Sequence, residues 1–411
     1  MDKNSFLQSK LLRSNISLFA IVAMVIGFFL SRAVLSMSMM LFGINALVGI
    51  SPRRWLNQKW WLIGMSWVLL MAISWFWSSN TEYWTSRLEV KLPIMLLPLA
   101  FAFTPAFSYK QQKIFTITLC SVLLFGVGYS LYFLLTNTAF YVEGYNYSKV
   151  MPTLPKNDHI VFSLALVSAA VWGIYFHPFI RERWMKWFTT LSVIIFAVFL
   201  HVLAARTGLV GLYVFFAAWT VYLACRRKTR VLGITLIASF VLMAYLAANY
   251  IPTLKHRIAH TNYTFVMFRQ GNLSGDYSDM GRYMSYHIAV KLMKERPWTG
   301  VGAGNILDTM KKGYDRWYPQ VKDEQRLIPH NQFLTVGVAV GLPGLLLFIL
   351  WVFYPLARIR KNRAGFFFLA MWLVLMVPLM VEPVLEIQFG VFVYLFFLLW
   401  QYHAMKKEVA G

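Results

Sequence analysis

An all-α polytopic membrane protein is predicted by three features of the 411-residue sequence. Its residues are 59% apolar and only 13% charged, against about 45–50% and about 25% in soluble domains. Mean hydropathy is +0.57. Apolar runs of membrane length also recur from one end to the other. About twelve spans can be read, at 17–30, 33–50, 60–77, 91–105, 114–135, 159–176, 187–204, 208–224, 231–250, 331–354, 366–381 and 384–402. Each is long enough, or nearly so, for a hydrocarbon core of about 30 Å.

The net charge of +23 would suggest nucleic acid in a soluble chain, but here topology accounts for it. With the N-terminus in the cytoplasm, the inner connections hold 21 of the 39 Lys and Arg residues. The short outer connections hold six: Arg32, Arg87, Lys91, Lys149, Lys156 and Arg206. The other 12 lie in 251–329, and a segment that long is exempt from the positive-inside rule. The asymmetry therefore sets the orientation, places 251–329 outside the cytoplasm, and removes the case for a nucleic-acid partner. The chain divides into helices one to nine over 1–250, an outer (periplasmic) loop domain over 251–329, and helices ten to twelve over 330–411.

Lys3, Lys10 and Arg13 ahead of the first apolar run have the look of a signal peptide. No small-x-small cleavage pattern follows and a second span begins almost at once, so the first helix is expected to be retained. Cys120 and Cys225 fall within span five and at the inner end of span eight. Neither a disulfide nor structural zinc is expected there.

The segment 251–329 is 79 residues long, and the other connections are short. Its stretch from Tyr283 to Met293, ended by Pro297, predicts a helix of about four turns. Thr299-Gly300-Val301-Gly302-Ala303-Gly304 then predicts a tight turn. It lacks the preceding strand and the Lys-Ser/Thr of a phosphate-binding loop. No internal repeat is evident.

Three places carry unusual chemistry. The run from Phe188 to Ala224 has 37 residues and a single charge, Arg206. As one helix it would be about 55 Å long, so the chain must turn, with Thr207-Gly208 the expected place. Arg206 then sits at the outer mouth of a hairpin, either snorkelling to headgroup phosphates or binding an anion inside the bundle. The second place is Pro329-His330-Asn331-Gln332, opening an apolar helix with Gly337, Gly341 and Gly344. Those glycines are expected to line one face and admit a neighbouring helix closely. His330 is either an ordinary hydrogen-bonded residue or a proton acceptor beside a helix N-terminus. The third is Arg282, preceded by Asp276 and Asp279, which are expected to cap or solvate its helix. Glu382 and Glu386 bracket Pro383 and either neutralise an arginine or mark the wet end of a hairpin. No Asp-x-Asp pair occurs, which argues against a metal-held nucleotide-sugar.

These residues carry a family resemblance. His330-Asn331, nine residues, then Gly341-Leu342-Pro343-Gly344 resembles the His-Asn-x9-Gly-x-x-Gly signature of O-antigen ligases, at the end of a large outer loop. Leu203-Ala204-Ala205-Arg206-Thr207-Gly208 is similar to the family's arginine hairpin. Arg282, with Gly300-Val301-Gly302-Ala303-Gly304-Asn305 after it, resembles the second arginine and its Gly-Val-Gly-x-Gly-Asn turn.

The resemblance implies a metal-independent, cofactor-free, inverting glycosyltransferase of the GT-C type in the bacterial inner membrane, with its active site facing the periplasm. It would move a glycan from undecaprenyl diphosphate to a sugar hydroxyl of lipid A-core. Arg206 and Arg282 would hold the diphosphate, since a guanidinium is permanently charged and its forked donors suit phosphate oxygens. His330 would be the base, or a phosphate ligand. Arg87 and Lys91 are expected to add to the phosphate field or to remain solvated, and Asn331 to orient His330 or cap the helix. O-antigen polymerases and protein O-oligosaccharyltransferases use the same donor. The polymerases' Arg-x10-Gly pattern fails here, because Ala217 and Met293 stand eleven past Arg206 and Arg282. A lipid-linked glycan transporter would more usually carry its ionisable residues near the bilayer midplane.

Overall fold

The computed structural model describes residues 3–48, 50, 52–147, 149–155, 158–270 and 278–407. Among them there are α-helices and short 3-10 turns but no strand. Along the chain run α1 (Lys3–Leu30), α2 (Arg32–Leu47), the single turn α3 (Pro52–Trp55), α4 (Lys59–Ile73), α5 (Thr81–Phe103), α6 (Tyr109–Thr136), the short α7 (Thr138–Gly144), α8 (His159–Phe176) and α9 (Arg183–Leu203). There follow α10 (Arg206–Ala224), α11 (Arg230–Tyr250), α12 (Pro252–Arg269), α13 (Ser278–Glu295), α14 (Ile306–Trp317), α15 (Gln332–Phe353), α16 (Arg363–Val381) and α17 (Gln388–Lys407). Among the described residues nine helices are long and apolar enough to cross a membrane. The remaining expected spans, two, four and twelve, are helices as well: α2, α5 and α17. Helix is the economical answer for such runs, because in hydrocarbon each backbone donor and acceptor must be paired within its own segment.

Position within the bundle follows from side-chain size. The apolar window of α8 is 83% buried, whereas that of α11 is 11% buried. Ser163, Ala165, Ser168, Ala169, Ala170 and Gly173 keep part of the surface of α8 narrow, and α9, α10, α16 and α17 close on the helix. Gly208 of α10 meets α8 so tightly that a Cβ there would stand 2.4 Å from the Ser163 Cβ. By contrast α11 packs on α10 and α12 and leaves most of its surface uncovered.

The hairpin between α9 and α10 turns earlier than the sequence suggested. Ala204 adopts a left-handed conformation (φ 50°), Ala205 is extended, and Arg206 is already the first helical residue of α10. Thr207-Gly208, the expected turn, is helical. Gly208 contributes contact with Ser163, not a bend.

The glycine turn and the expected glycine face of α15 explain each other. Two helical pieces of α15 meet at a kink, with Val340 at φ −133° and Gly341 at φ 71°, ψ −170°. Pro343 has no N–H and its ring crowds the carbonyl of Ala339, four residues back. The Ala339 oxygen accepts instead from Gly302 N at 3.0 Å, and Val338 O accepts from Val301 N at 2.8 Å. Leu342 N in turn donates to Pro297 O at 2.7 Å. Strand-like pairing across a helix break thus satisfies groups that a continuous helix would have used internally. It corrects the expectation of one small-residue face: Gly341 ends the first piece of the helix, Gly337 lies against Met293, and Gly344 lies against Val340.

Within 251–329, the helix expected from Tyr283 is α13, which starts at Ser278 and ends at Glu295. It packs on α12, α14 and α15. Asp276, expected to cap it, lies outside the described residues, as does the side chain of Asp279.

Candidate active site

Glu382 links two of the three residues singled out by sequence. It caps the C-terminus of α16 with extended backbone (φ −147°, ψ 148°), and its N–H still donates to Pro378 O at 2.8 Å. Its carboxylate forms an ion pair with Arg282 through one oxygen. The other oxygen lies 3.5 Å from His330 Nε2. The carboxylate is 9% exposed, while Arg282 and His330 keep 24% and 20%, so both side chains can be reached from outside.

His330 is held on its other side. Its Nδ1 lies 3.0 Å from Ile328 O, its N–H donates to Ser285 Oγ at 3.3 Å, and its carbonyl accepts from Tyr286 Oη at 2.8 Å. A carbonyl can only accept, so Nδ1 carries the proton of the neutral ring and Nε2 carries the lone pair. Ser285 and Tyr286 are one turn beyond Arg282 on α13. One helix therefore presents the arginine and fixes the histidine backbone. Asn331 is the N-cap of α15: its Oδ1 accepts from Leu334 N at 3.1 Å, while its Nδ2 donates to Met380 O at 2.9 Å. That pins the start of α15 to the end of α16, next to Glu382.

Pro383 separates two carboxylates with different surroundings. Glu386 turns inward to Lys91 Nζ at 2.8 Å and accepts from Gln332 Nε2 at 2.9 Å. Lys91 is wholly buried and donates also to Leu385 O at 2.8 Å. Arg87 donates to Glu386 O at 2.7 Å and lies over the Tyr83 ring. Both cations, expected to add to the phosphate field or to remain solvated, thus anchor the turn that carries Glu382 and Glu386.

Arg206 opens α10 beside the end of α9, where Tyr145 Oη donates to Leu203 O at 2.8 Å and Thr253 Oγ1 to Val202 O at 2.6 Å. A cation at a helix N-terminus is unfavourable by itself and favours an anion nearby. Arg257, one turn past Thr253 on α12, acts electrostatically on Tyr145 and on His159. The charge of Arg282 also reaches His159. Asp158, the N-cap of α8, is held above the usual carboxylate range by burial, to which the charge of Glu382 adds. Arg257 and Asp158 carry no motif, and their spacing in the sequence offers no signal.

From Gly300, which donates to Arg296 O, through Asn305, each backbone N–H of the glycine turn already has an acceptor within the protein. Val301 and Gly302 donate to α15, Ala303 N to Ser74 Oγ, Gly304 N to Ser78 Oγ, and Asn305 N to Gly302 O. The Asn305 side chain accepts from Ser79 N at 2.8 Å and donates to Trp77 O at 3.0 Å. This turn ties the α4–α5 connection to the kink in α15.

Beside the hairpin, an apolar crevice of about 420 Å³ opens between α9 and α11, lined by Val198, His201, Leu242, Leu246 and Tyr250 among others.

Residues 191–349 match the family model Wzy_C, described as O-Antigen ligase. The similarity to that family lies in the segment from within α9 into α15, 159 of the 411 residues. It contains Arg206, Arg257, Arg282, the glycine turn, His330 and Asn331; Arg87, Lys91 and Glu382 lie outside it. No curated protein matches the chain.

Proposed function

For a multi-pass membrane protein whose residues 191–349 match the O-antigen ligase family, we propose a ligase that transfers a glycan from undecaprenyl diphosphate to a sugar hydroxyl of lipid A-core. Transfer takes place at the periplasmic face of the inner membrane, the orientation the basic residues favour. The observation that carries this reading is the Glu382 carboxylate, ion-paired to Arg282 and 3.5 Å from His330 Nε2. A carboxylate is an anion of the kind a diphosphate would replace on Arg282. The same group lies beside the nitrogen that would accept a proton.

The acceptor oxygen attacks the anomeric carbon, the carbon–oxygen bond to the lipid diphosphate breaks, and the hydroxyl proton passes to His330 Nε2. Undecaprenyl diphosphate leaves with the bonding electrons, and the sugar inverts. Arg282 and Arg206 offset the charge that grows on the leaving group, with Arg257 adding to the field. When the diphosphate draws Arg282 away, Glu382 is left to stabilise the imidazolium. Glu382 is thus a positioning residue: it holds the arginine before the donor arrives and favours the charged histidine afterwards. The apolar crevice between α9 and α11 would suit the polyprenyl chain.

The test is transfer by the reconstituted protein from undecaprenyl-diphosphate glycan to purified lipid A-core, with EDTA present, comparing the wild type with His330→Ala by mass. Glycan-capped lipid A-core that requires His330 is expected. A glycan lengthened on its own carrier would mean a polymerase, and no covalent product with the donor intact would sink the transferase reading for this acceptor.

A further inference from the structure

The opposite end of the bundle has a cavity that glycan transfer does not use. It occupies about 650 Å³ and opens sideways between α8, the first half of α9, the second half of α10, and α11, with the start of α16 at its rim. Its walls are apolar, including Ile174, Val193, Phe216, Trp219 and Leu236. It exists because α11 follows α10 closely and leaves α9 uncovered: a Cβ on Gly233 would stand 2.6 Å from Ala224 N.

The rim is basic. Arg226, Arg363 and His177 line it, and among the described residues no Asp or Glu does. Both arginines are fixed by stacking: Arg226 lies 4.3 Å from the Tyr222 ring centroid, and Arg363 lies over Tyr175, Phe179 and Phe367 at 5.1–5.5 Å. Arg363 also donates to Ile174 O at 3.1 Å. The fields of Lys186 and Arg363 converge on His177. Arg227, Lys228 and Arg230 are exposed on the same α10–α11 turn. Glu182, on the adjoining α8–α9 connection, is ion-paired to Lys113 and accepts from Tyr109, and these two partners push its carboxyl down to about 2. That acid therefore does not offset the rim.

We propose that this cavity binds one anionic phospholipid of the leaflet at the basic end, its phosphate against Arg226 and Arg363 and an acyl chain along α9 and α11. Charge selects this occupant. A zwitterionic lipid would leave the clustered cations uncompensated, and the far end of a polyprenyl chain has no charge to offer them. Basic pockets between transmembrane helices suit anionic headgroups on the same grounds.

The experiment is native mass spectrometry of the full-length, delipidated protein titrated separately with phosphatidylglycerol, cardiolipin, phosphatidylcholine and a neutral polyprenol. One anionic lipid is expected to bind at least about tenfold more tightly than phosphatidylcholine. Arg226→Gln/Arg363→Gln should remove that preference. Because Arg363 also braces α16 against α8, Leu236→Trp serves as a second variant. It fills the cavity from α11, leaves the rim intact, and should abolish binding while glycan transfer persists. Equal binding of phosphatidylcholine, displacement of the phospholipid by polyprenol, or anionic binding indifferent to Leu236→Trp would each overturn the proposal.

Discussion

Which nitrogen of His330 can take a proton is decided by a backbone carbonyl. Ile328 O beside Nδ1 assigns the lone pair to Nε2, the atom facing Glu382. On this arrangement the transfer rate should fall as pH is lowered and Nε2 becomes protonated beforehand. His330→Gln should lower kcat by about 10²- to 10⁴-fold, the usual range for losing a general base, and its residual activity should lack that acid limb. A flat profile in the wild type would exclude general-base work. Glu382→Gln keeps the shape of the side chain but removes its charge. It should lower kcat with little rise in KM for the donor, since Arg282 is then no longer held by an internal anion. Arg282→Lys should do the reverse, raising the donor KM by about tenfold because an ammonium lacks the guanidinium's fork. Steady-state kinetics with purified donor separates these outcomes.

Among the elements, the kinked α15 and the turn that pairs with it form one unit. Gly300 and Gly341 have positive φ, and a Cβ on either would stand 2.6 Å from backbone atoms of the other segment. Gly300→Ala and Gly341→Ala should each cost at least about 1–3 kcal/mol, from dihedral strain alone before the collision is counted. Asn305→Ala should cost about 0.5–1.5 kcal/mol by removing its hydrogen bonds to Trp77 O and Ser79 N. Thermal unfolding in detergent would measure all three. Equal melting temperatures in variants and wild type would mean that the pairing is not maintained in the membrane protein. The sequence offered the glycines but not this use of them: a spacing of four and three fits a helix face and a helix break equally well. Only the backbone angles and Pro343 distinguish the two.

For the whole molecule, the buried pair Lys91–Glu386 tests how the bundle holds its reactive end. Both side chains are at most 4% exposed, and Glu386 accepts from Gln332 at the start of α15. Lys91→Met leaves a buried carboxylate uncompensated and should destabilise the protein by about 3–5 kcal/mol. Lys91→Met/Glu386→Gln should recover most of that loss, because neither charge then remains inside. Activity per folded molecule should change little in the double variant if Lys91 acts as a strut. A raised donor KM at unchanged stability would instead put Lys91 in contact with the diphosphate. Thermal melts and donor titrations on the same samples decide between them.

Hydrophobic runs and basic asymmetry were enough to predict the helices, because lipid demands paired backbones and the runs are local properties of the chain. Arg206, Arg282 and His330 could also be picked out, since each is a rare polar residue in a recognisable local motif. The partnership of Arg282 and His330 through Glu382 was not readable. Glu382 lies 100 residues from Arg282 in sequence, and its spacing from Glu386 allowed either carboxylate to face either cation. The turn after Ala204, the kink at Gly341 and the inward fate of Lys91 were likewise settled by packing. In each case the deciding contact joins segments distant in sequence, and a local pattern cannot encode which of several compatible partners arrives.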